Sequence, residues 1–232
     1  MQRLQMDRKS ISKSFIKSVS AHSWQPSYAG ELNYEQIRDT VKHYLPLQID
    51  VPVDVIYREI VQCSHLLVEH RGGYESQGWK SFCIHGRSLT ETREQEYYDT
   101  PAPMEYTKET QELMPETVDW LRNTWPHGDY ARVRVMCLEP GGWIGVHTDN
   151  NLNCLGPVNI AITQPNECNF YMEHAGVIPF QPGSAMWLNV SNKHAVINNS
   201  DQPRYHIIIH QTESADWHRL VLKSYNSLDK QS

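Results

Sequence analysis

The chain has 232 residues, with 21 Lys and Arg against 27 Asp and Glu, a formal net charge of -6. Its sequence pI is about 6.0 and its mean hydropathy -0.59. That length fits one domain with appendages, and no stretch of about 20 apolar residues is present to span a membrane. An acidic chain without a concentrated Lys/Arg stripe lacks the phosphate-neutralising surface of a nucleic-acid binder, so a small molecule or a peptide is the expected partner.

In chain order, the first 33 residues read as a polar N-terminal arm, frayed or on the surface, with a slight likeness to an organelle transit peptide. Residues 34–232 read as a single domain: a mixed helical part over 34–128, a β core over 129–212 and a C-terminal helix over 213–232. A helix is expected from about Pro52 to Glu69, carried by Val55, Ile56, Ile60, Val61, Leu66 and Leu67 at helical spacing. GWKSFCIHG then reads as a short strand. Residues 91–112 hold seven acids, two bases, two prolines and three tyrosines without a period, and read as a long loop. LMPETVDWLRNTW is a second helix candidate, with Pro115 and Glu116 near its start.

From Tyr130 to Gln211 short β-type runs recur every eight to twelve residues, punctuated by EPGG, QPNE, QPGS and NNSDQP. Eight such strands without intervening helices make the expected fold mainly β with flanking helices, a jelly roll or double-stranded β-helix of cupin-like type. Trp217, Leu220, Val221 and Leu222 follow in a helical pattern that can cap one sheet. Five cysteines, an odd number without a C-x-x-C pair, argue against a disulfide framework. Together with the absence of a secretory signal, they make a reduced, cytoplasmic protein the expectation.

The chemistry-bearing segment is GGWIGVHTDNN. His147 and Asp149, two residues apart, share one face of a strand. His194, in SNKHAVINNS, supplies a second nitrogen if the strands bring it alongside. Two His and one carboxylate are the facial set that holds non-haem Fe(II) with positions open for O2 and a co-substrate. Arg204 opens RYHIIIHQ ten residues after His194. It shares a face with His206 and Ile208, while Tyr205, Ile207 and Ile209 face the other way, toward the helices. An inward guanidinium beside such a metal calls for a diacid that chelates the metal at its far end, as 2-oxoglutarate does.

RVRVMCLEPGGWIGVHTD, NIAITQP and PFQPGSAMWLNVSNKHAVINNSDQPRYHIII together resemble the aspartyl/asparaginyl β-hydroxylase family of Fe(II)/2-oxoglutarate-dependent oxygenases, over roughly residues 115–212. The resemblance implies that His147, Asp149 and His194 bind iron and that Arg204 holds the distal carboxylate of 2-oxoglutarate. Asp149 marks the chain as closer to bacterial members, including those acting on free proline, than to animal peptide-aspartyl hydroxylases, which lack that ligand. Family serine and histidine positions that contact the co-substrate fall here at Met136 and at Val158 or Asn159. Asn159 can donate to a carboxylate. Arg134 matches a family arginine and is read as supporting the co-substrate, as facing the substrate, or as an exposed strand arginine.

The implied activity is a dioxygenase reaction that couples decarboxylation of 2-oxoglutarate to hydroxylation of an amino acid, an amino-acid-like metabolite or a peptide residue. The rivals are a cupin-like metal enzyme without 2-oxoglutarate, a non-catalytic jelly-roll binder, and a zinc hydrolase for which no general base is identified. Tyr97, Tyr98 and Tyr106 are a candidate lid. His85 is a candidate for a substrate carboxylate, while His206, His210 and Trp187 read as barrel or rim groups. Asn189 and Asn198 read as turn residues, and oligomeric state is not legible.

Overall fold

The computed structural model describes residues 8–70, 76–91 and 104–228. Its centre is a jelly roll. One curved sheet runs in the order β1 (Tyr44–Leu47), β9 (Ala185–Leu188), β6 (Val158–Ala161), β11 (Arg204–Gln211) and β5 (Tyr130–His147). It continues through β5 into β10 (His194–Asn198), β7 (Cys168–Met172) and β8 (Gly176–Val177). Every neighbouring pair is antiparallel. The strands double back on themselves, so their inner faces enclose a cavity and their outer faces need a cover. A side arm of β2 (Val68–Glu69), β3 (Ser76–Gly86) and β4 (Glu105–Tyr106) pairs onto β5 through β3.

Strand alternation separates two cores. Val133, Val135 and Cys137 of β5 and Tyr205, Ile207 and Ile209 of β11 pack outward under helices. The cover consists of α2 (Tyr34–Thr40), α3 (Val53–Gln62), α5 (Pro115–Asn123) and α6 (Ala215–Asn226), with the short α4 (Lys108–Leu113) preceding α5. Tyr34, Ile56, Leu121, Trp217 and Val221 are among the side chains they contribute to this core. Inside the barrel, Met136 and Leu138 join Met172, Met186, Leu188 and Val196 in the second core. The expected division of Tyr205, Ile207 and Ile209 from Arg204, His206 and Ile208 is therefore the observed one. The helix ends are secured by side chains: Ser214 caps α6 by accepting from the Trp217 N–H. The buried Glu59 carboxylate accepts from the Glu116 and Thr117 amides at the start of α5.

Three expectations are corrected. The helix expected from Pro52 to Glu69 stops at Gln62, followed by a 3-10 turn over Ser64–Leu66 and then β2. The backbone of Val68 and Glu69 pairs with Ser81 and Lys80, and the sheet offers those groups better-satisfied bonds than another helical turn. EPGG does not separate two strands. β5 runs unbroken for 18 residues, and Gly141, at φ 71°, together with a register shift between Gln77 and Trp79 of β3, bends it between the half that pairs with β11 and the half that pairs with β10. A Cβ on Gly142 would lie 2.7 Å from the Glu139 carbonyl, so the bend demands glycine there too. The expected loop of 91–112 contains β4 and α4 among its described residues.

The polar arm contains a helix, α1 (Arg8–Val19), and its exit lies against the barrel. Val19 is buried, and the Trp24 N–H donates to the Ala175 carbonyl at 3.0 Å. No disulfide joins any of the five cysteines, and no described helix is long and apolar enough to cross a membrane.

Candidate active site

β5 and β10 pair so that His147 and His194 stand directly opposite, and His194 also faces Met172 of β7. Asp149 lies two residues beyond the end of β5, where its N–H donates to the Val190 carbonyl at 3.0 Å. That bond turns the carboxylate back toward both imidazoles, with Asp149 Oδ1 3.4 Å from His147 Nε2 and Oδ2 3.7 Å from His194 Nε2. One ligand atom from each of the three lies within 4.8 Å of the others, the spread expected around one ion. The sequence-expected triad is brought together.

The imidazoles are held in the tautomer that a metal requires. His147 Nδ1 lies 2.8 Å from the Gly145 carbonyl and His194 Nδ1 2.9 Å from the Asn192 carbonyl. A carbonyl only accepts, so each Nδ1 carries the proton and each Nε2 presents a lone pair. Burial, with the neighbouring His147 second, pushes His194 down to about 4. It is therefore neutral across the physiological range. Phe170 stacks on its ring at 5.3 Å and 8° and limits rotation. Two freed nitrogens and a carboxylate on one side of a pocket suit a divalent transition metal with positions left open.

That pocket is a cavity of about 460 Å³ inside the barrel, lined by the triad, the apolar Met136, Ile144, Leu188, Val190 and Val196, and three arginines, Arg132, Arg134 and Arg204. Arg204 is 4% exposed. It makes no ion pair among the described residues, and its Nε has no hydrogen-bond partner among them. Burial lowers its pKa to about 10, which leaves it cationic at neutral pH. Its Nη2 donates to His206 Nδ1 at 2.9 Å, and the Phe180 ring lies 5.8 Å away.

Because arginine only donates, His206 Nδ1 must be the bare acceptor, and its Nε2–H then donates to Gln164 Oε1 at 3.1 Å. Asn159, buried on β6, has its side-chain Oδ1 2.6 Å from the same Nδ1; two acceptors do not bond, so with Nδ1 bare the amide must be turned to donate there from its Nδ2. A neutral histidine, its pKa driven well down by burial and by Arg204, thus orients the guanidinium without neutralising it.

Other expected residues fall as follows. Met136 and Asn159 line the cavity and Val158 faces the helices. Arg134 is 7% exposed and lines the cavity, which overturns its reading as an exposed strand arginine. His210 stands at the rim. Trp187 belongs to the helix-side core, with its Nε1–H donating to the Gly156 carbonyl. His85 is buried against Tyr106 and Tyr130, outside the cavity lining. Tyr106 is spent in that aromatic contact, and Tyr97 and Tyr98 lie outside the described residues. Asn189 and Asn198 accept from the Ser191 and Ser200 amides in local turns.

Sequence reasoning missed His70, Trp79 and Arg132, all of which line the cavity. Arg132 had a signal: in ARVRV it shares the strand face of Arg134. His70 and Trp79 had none, because they reach the cavity from a side arm whose pairing with β5 is not written locally.

The fold and the donor set define a jelly-roll metal enzyme of the oxygenase type. The model of the family described as aspartyl/asparaginyl beta-hydroxylase matches residues 31–213, and the chain belongs to that family. It is accordingly a dioxygenase, with Fe(II) as its metal cofactor and 2-oxoglutarate and O2 as its co-substrates.

No curated protein matches the sequence. Among solved structures, a prolyl hydroxylase in complex with a hypoxia inducible factor peptide fragment, from Trichoplax adhaerens, is similar at 12% identity and TM-score 0.47, covering 94% of this chain and 96% of that one. A 2OG-Fe(II) oxygenase family oxidoreductase from Burkholderia pseudomallei is similar at 12% identity and TM-score 0.45, covering 82% and 93%. The carbocyclase SnoK of nogalamycin biosynthesis is similar at 14% identity and TM-score 0.44, covering 81% and 87%.

Proposed function

We propose that this chain hydroxylates an amino acid, an amino-acid-like metabolite or a residue of a peptide, with His147, Asp149 and His194 holding Fe(II) and Arg204 gripping the distal carboxylate of 2-oxoglutarate. The observation that carries the reading is Arg204: a buried cation with no acidic partner among the described residues, lining the same cavity as a complete triad. An uncompensated buried charge is costly, and a bidentate carboxylate is the partner that removes the cost. A cupin-like enzyme without a diacid gives no reason to keep it.

When bound, Fe(II) would supply the activation of O2, the oxidant, one of whose oxygen atoms ends in the succinate left when 2-oxoglutarate loses CO2 and the other in the hydroxylated substrate. The residues of this chain position and exclude. The two Nδ1–H bonds and the Phe170 stack hold the imidazoles at fixed angles. His206, braced by Asn159 and Gln164, aims Arg204. Ile144, Leu188, Val190 and Val196 line a wall that excludes water from a reacting C–H bond.

The test is aerobic incubation of the purified protein with Fe(II), ascorbate, 2-oxoglutarate and a panel of amino acids and peptides, with succinate and a 16 Da mass gain as readouts. Succinate release that rises with one substrate, together with that substrate's mass gain, is the expected result. Iron-loaded, folded protein that never turns over 2-oxoglutarate contradicts the proposal.

A further inference from the structure

The two histidines of the triad and its carboxylate are held by different means. His147 and His194 stand on paired strands, so the β5–β10 ladder fixes their backbones. Asp149 lies past the end of β5, on a stretch without regular structure that runs to Pro157. Its side chain is 43% exposed, against 5% for His194. A ligand in that position needs bonds from outside the sheet to keep its angle to a metal.

Those bonds come from the turn that joins β9 to β10. The Val190 carbonyl accepts from the Asp149 amide, and the next residue, Ser191, extends the grip along the loop. Its hydroxyl donates to Asn150 Oδ1 at 2.6 Å and accepts from the Asn153 N–H at 2.9 Å. Asn150 Oδ1 also accepts from the Leu152 N–H at 3.0 Å, so one hydroxyl and one amide oxygen tie the loop down just past the ligand. The turn beneath is itself fixed. The Ser191 N–H donates to Asn189 Oδ1, and the side-chain amides of Asn189 and Asn192 both donate to the Lys42 carbonyl. From the same turn the Asn192 carbonyl holds His194 Nδ1. We propose that Ser191 is a positioning residue for the metal site, its hydroxyl clamping the loop after Asp149 so that the carboxylate stays aimed at the two imidazoles, an inference that rests on the Fe(II) reading above.

The molecule holds its own control. Asn198-Asn199-Ser200, past the other end of β10, builds the same turn as Asn189-Val190-Ser191: in each, the serine amide donates to the asparagine Oδ1 two residues back. The Ser200 hydroxyl finds its partners within its own turn, at Asn198 and Gln202. The Ser191 hydroxyl instead reaches Asn150, 41 residues away in sequence and next to a triad member. One local chemistry serves the turn alone at one end of the strand and the ligand loop at the other.

The experiment is anaerobic titration of the apoprotein with Fe(II) in competition with a chromophoric chelator, for wild type and variants. Ser191→Ala is expected to weaken Fe(II) binding by about tenfold or more, as loss of a group that orients a metal ligand does. Asn150→Ala breaks the same contact from the loop side with a comparable loss, and it carries the test if Ser191→Ala does not fold. The double variant is expected to fall no more than about twofold below the weaker single, because both changes remove one contact. Ser191→Thr, which keeps the hydroxyl, stays within about threefold of wild type, and Ser200→Ala within about twofold. Unchanged iron affinity in Ser191→Ala and Asn150→Ala, an equal loss in Ser200→Ala, or a Ser191→Thr as weak as Ser191→Ala each overturns the proposal. Folded wild-type protein that binds no Fe(II) contradicts the triad itself and the clamp with it, and that result is read before any variant is compared.

Discussion

The two faces of the β5–β11 pair do opposite work with the same backbone. Outward, Val133, Val135, Cys137, Tyr205, Ile207 and Ile209 fill an apolar core closed by helices. Inward, the same strands carry Arg132, Arg134, Arg204, His206 and His210, groups that lower stability when desolvated. One face stabilises the fold and the other uses that stability to hold buried charges around the cavity. The contrast teaches where to cut: outward changes are expected to alter stability and inward changes chemistry.

The largest effect on the inward side is expected at the triad. Asp149→Ala or His194→Ala abolishes turnover and weakens Fe(II) binding by more than about 100-fold, while the melting temperature of the metal-free protein stays close to wild type. Metal analysis after dialysis is the check, and full activity in either variant removes the triad assignment.

Next comes the guanidinium. Arg204→Ala raises the 2-oxoglutarate requirement by roughly 30-fold or more and leaves iron content intact, since the lost buried charge pair is worth about 2 to 5 kcal/mol. His206→Glu sharpens the same point. It sets a carboxylate against Arg204, removes the charge that the diacid needs, and produces a comparable loss, whereas His206→Gln, whose side-chain oxygen still accepts, stays within a few-fold. Equal behaviour of the Glu and Gln variants breaks the argument that His206 orients Arg204 by being neutral.

On the outward face, Ile207→Ala is expected to cost about 2 to 5 kcal/mol in denaturant unfolding, with activity per folded molecule unchanged. A drop in kcat without a stability change would blur the division between the faces.

The smallest effect concerns His85, buried on the helix side with no hydrogen-bond partner for Nδ1 among the described residues. Burial, and secondarily His127, lowers its pKa to about 4. The unfolded chain takes up this proton near pH 6.5 and the folded chain only near 4, so the contribution is whole above 6.5 and is lost as pH falls through that window. His85→Phe is expected to flatten the fall in stability between pH 6.5 and 5 by up to about 2 kcal/mol, measured by urea unfolding at both values.

The barrel and its site were legible because their signals are local. The turn-punctuated runs after Tyr130, H-T-D and the arginine ten residues past His194 each lie within a dozen residues, and the alternation of RYHIIIHQ separated the two faces correctly. The unreadable parts depend on distant partners. Leu66 and Leu67 are half-buried whether their segment is helix or strand, so only the pairing of Val68 with Ser81 decides. EPGG has turn composition, yet β3 pairs across it and keeps β5 continuous. His70 and Trp79 join the cavity by that same tertiary contact, and α1 is a polar helix whose residues Arg8–Val19 offered no clear apolar face.

The central claim is that triad and Arg204 form one site for Fe(II) and 2-oxoglutarate. The most direct measurement is an anaerobic absorbance titration of the apoprotein with Fe(II) and then 2-oxoglutarate, following the visible metal-to-ligand charge-transfer band of a chelated 2-oxo acid. The account predicts a saturable band that vanishes in Asp149→Ala and needs far more 2-oxoglutarate in Arg204→Ala. A folded, iron-loaded protein that shows no band at saturating 2-oxoglutarate would contradict it.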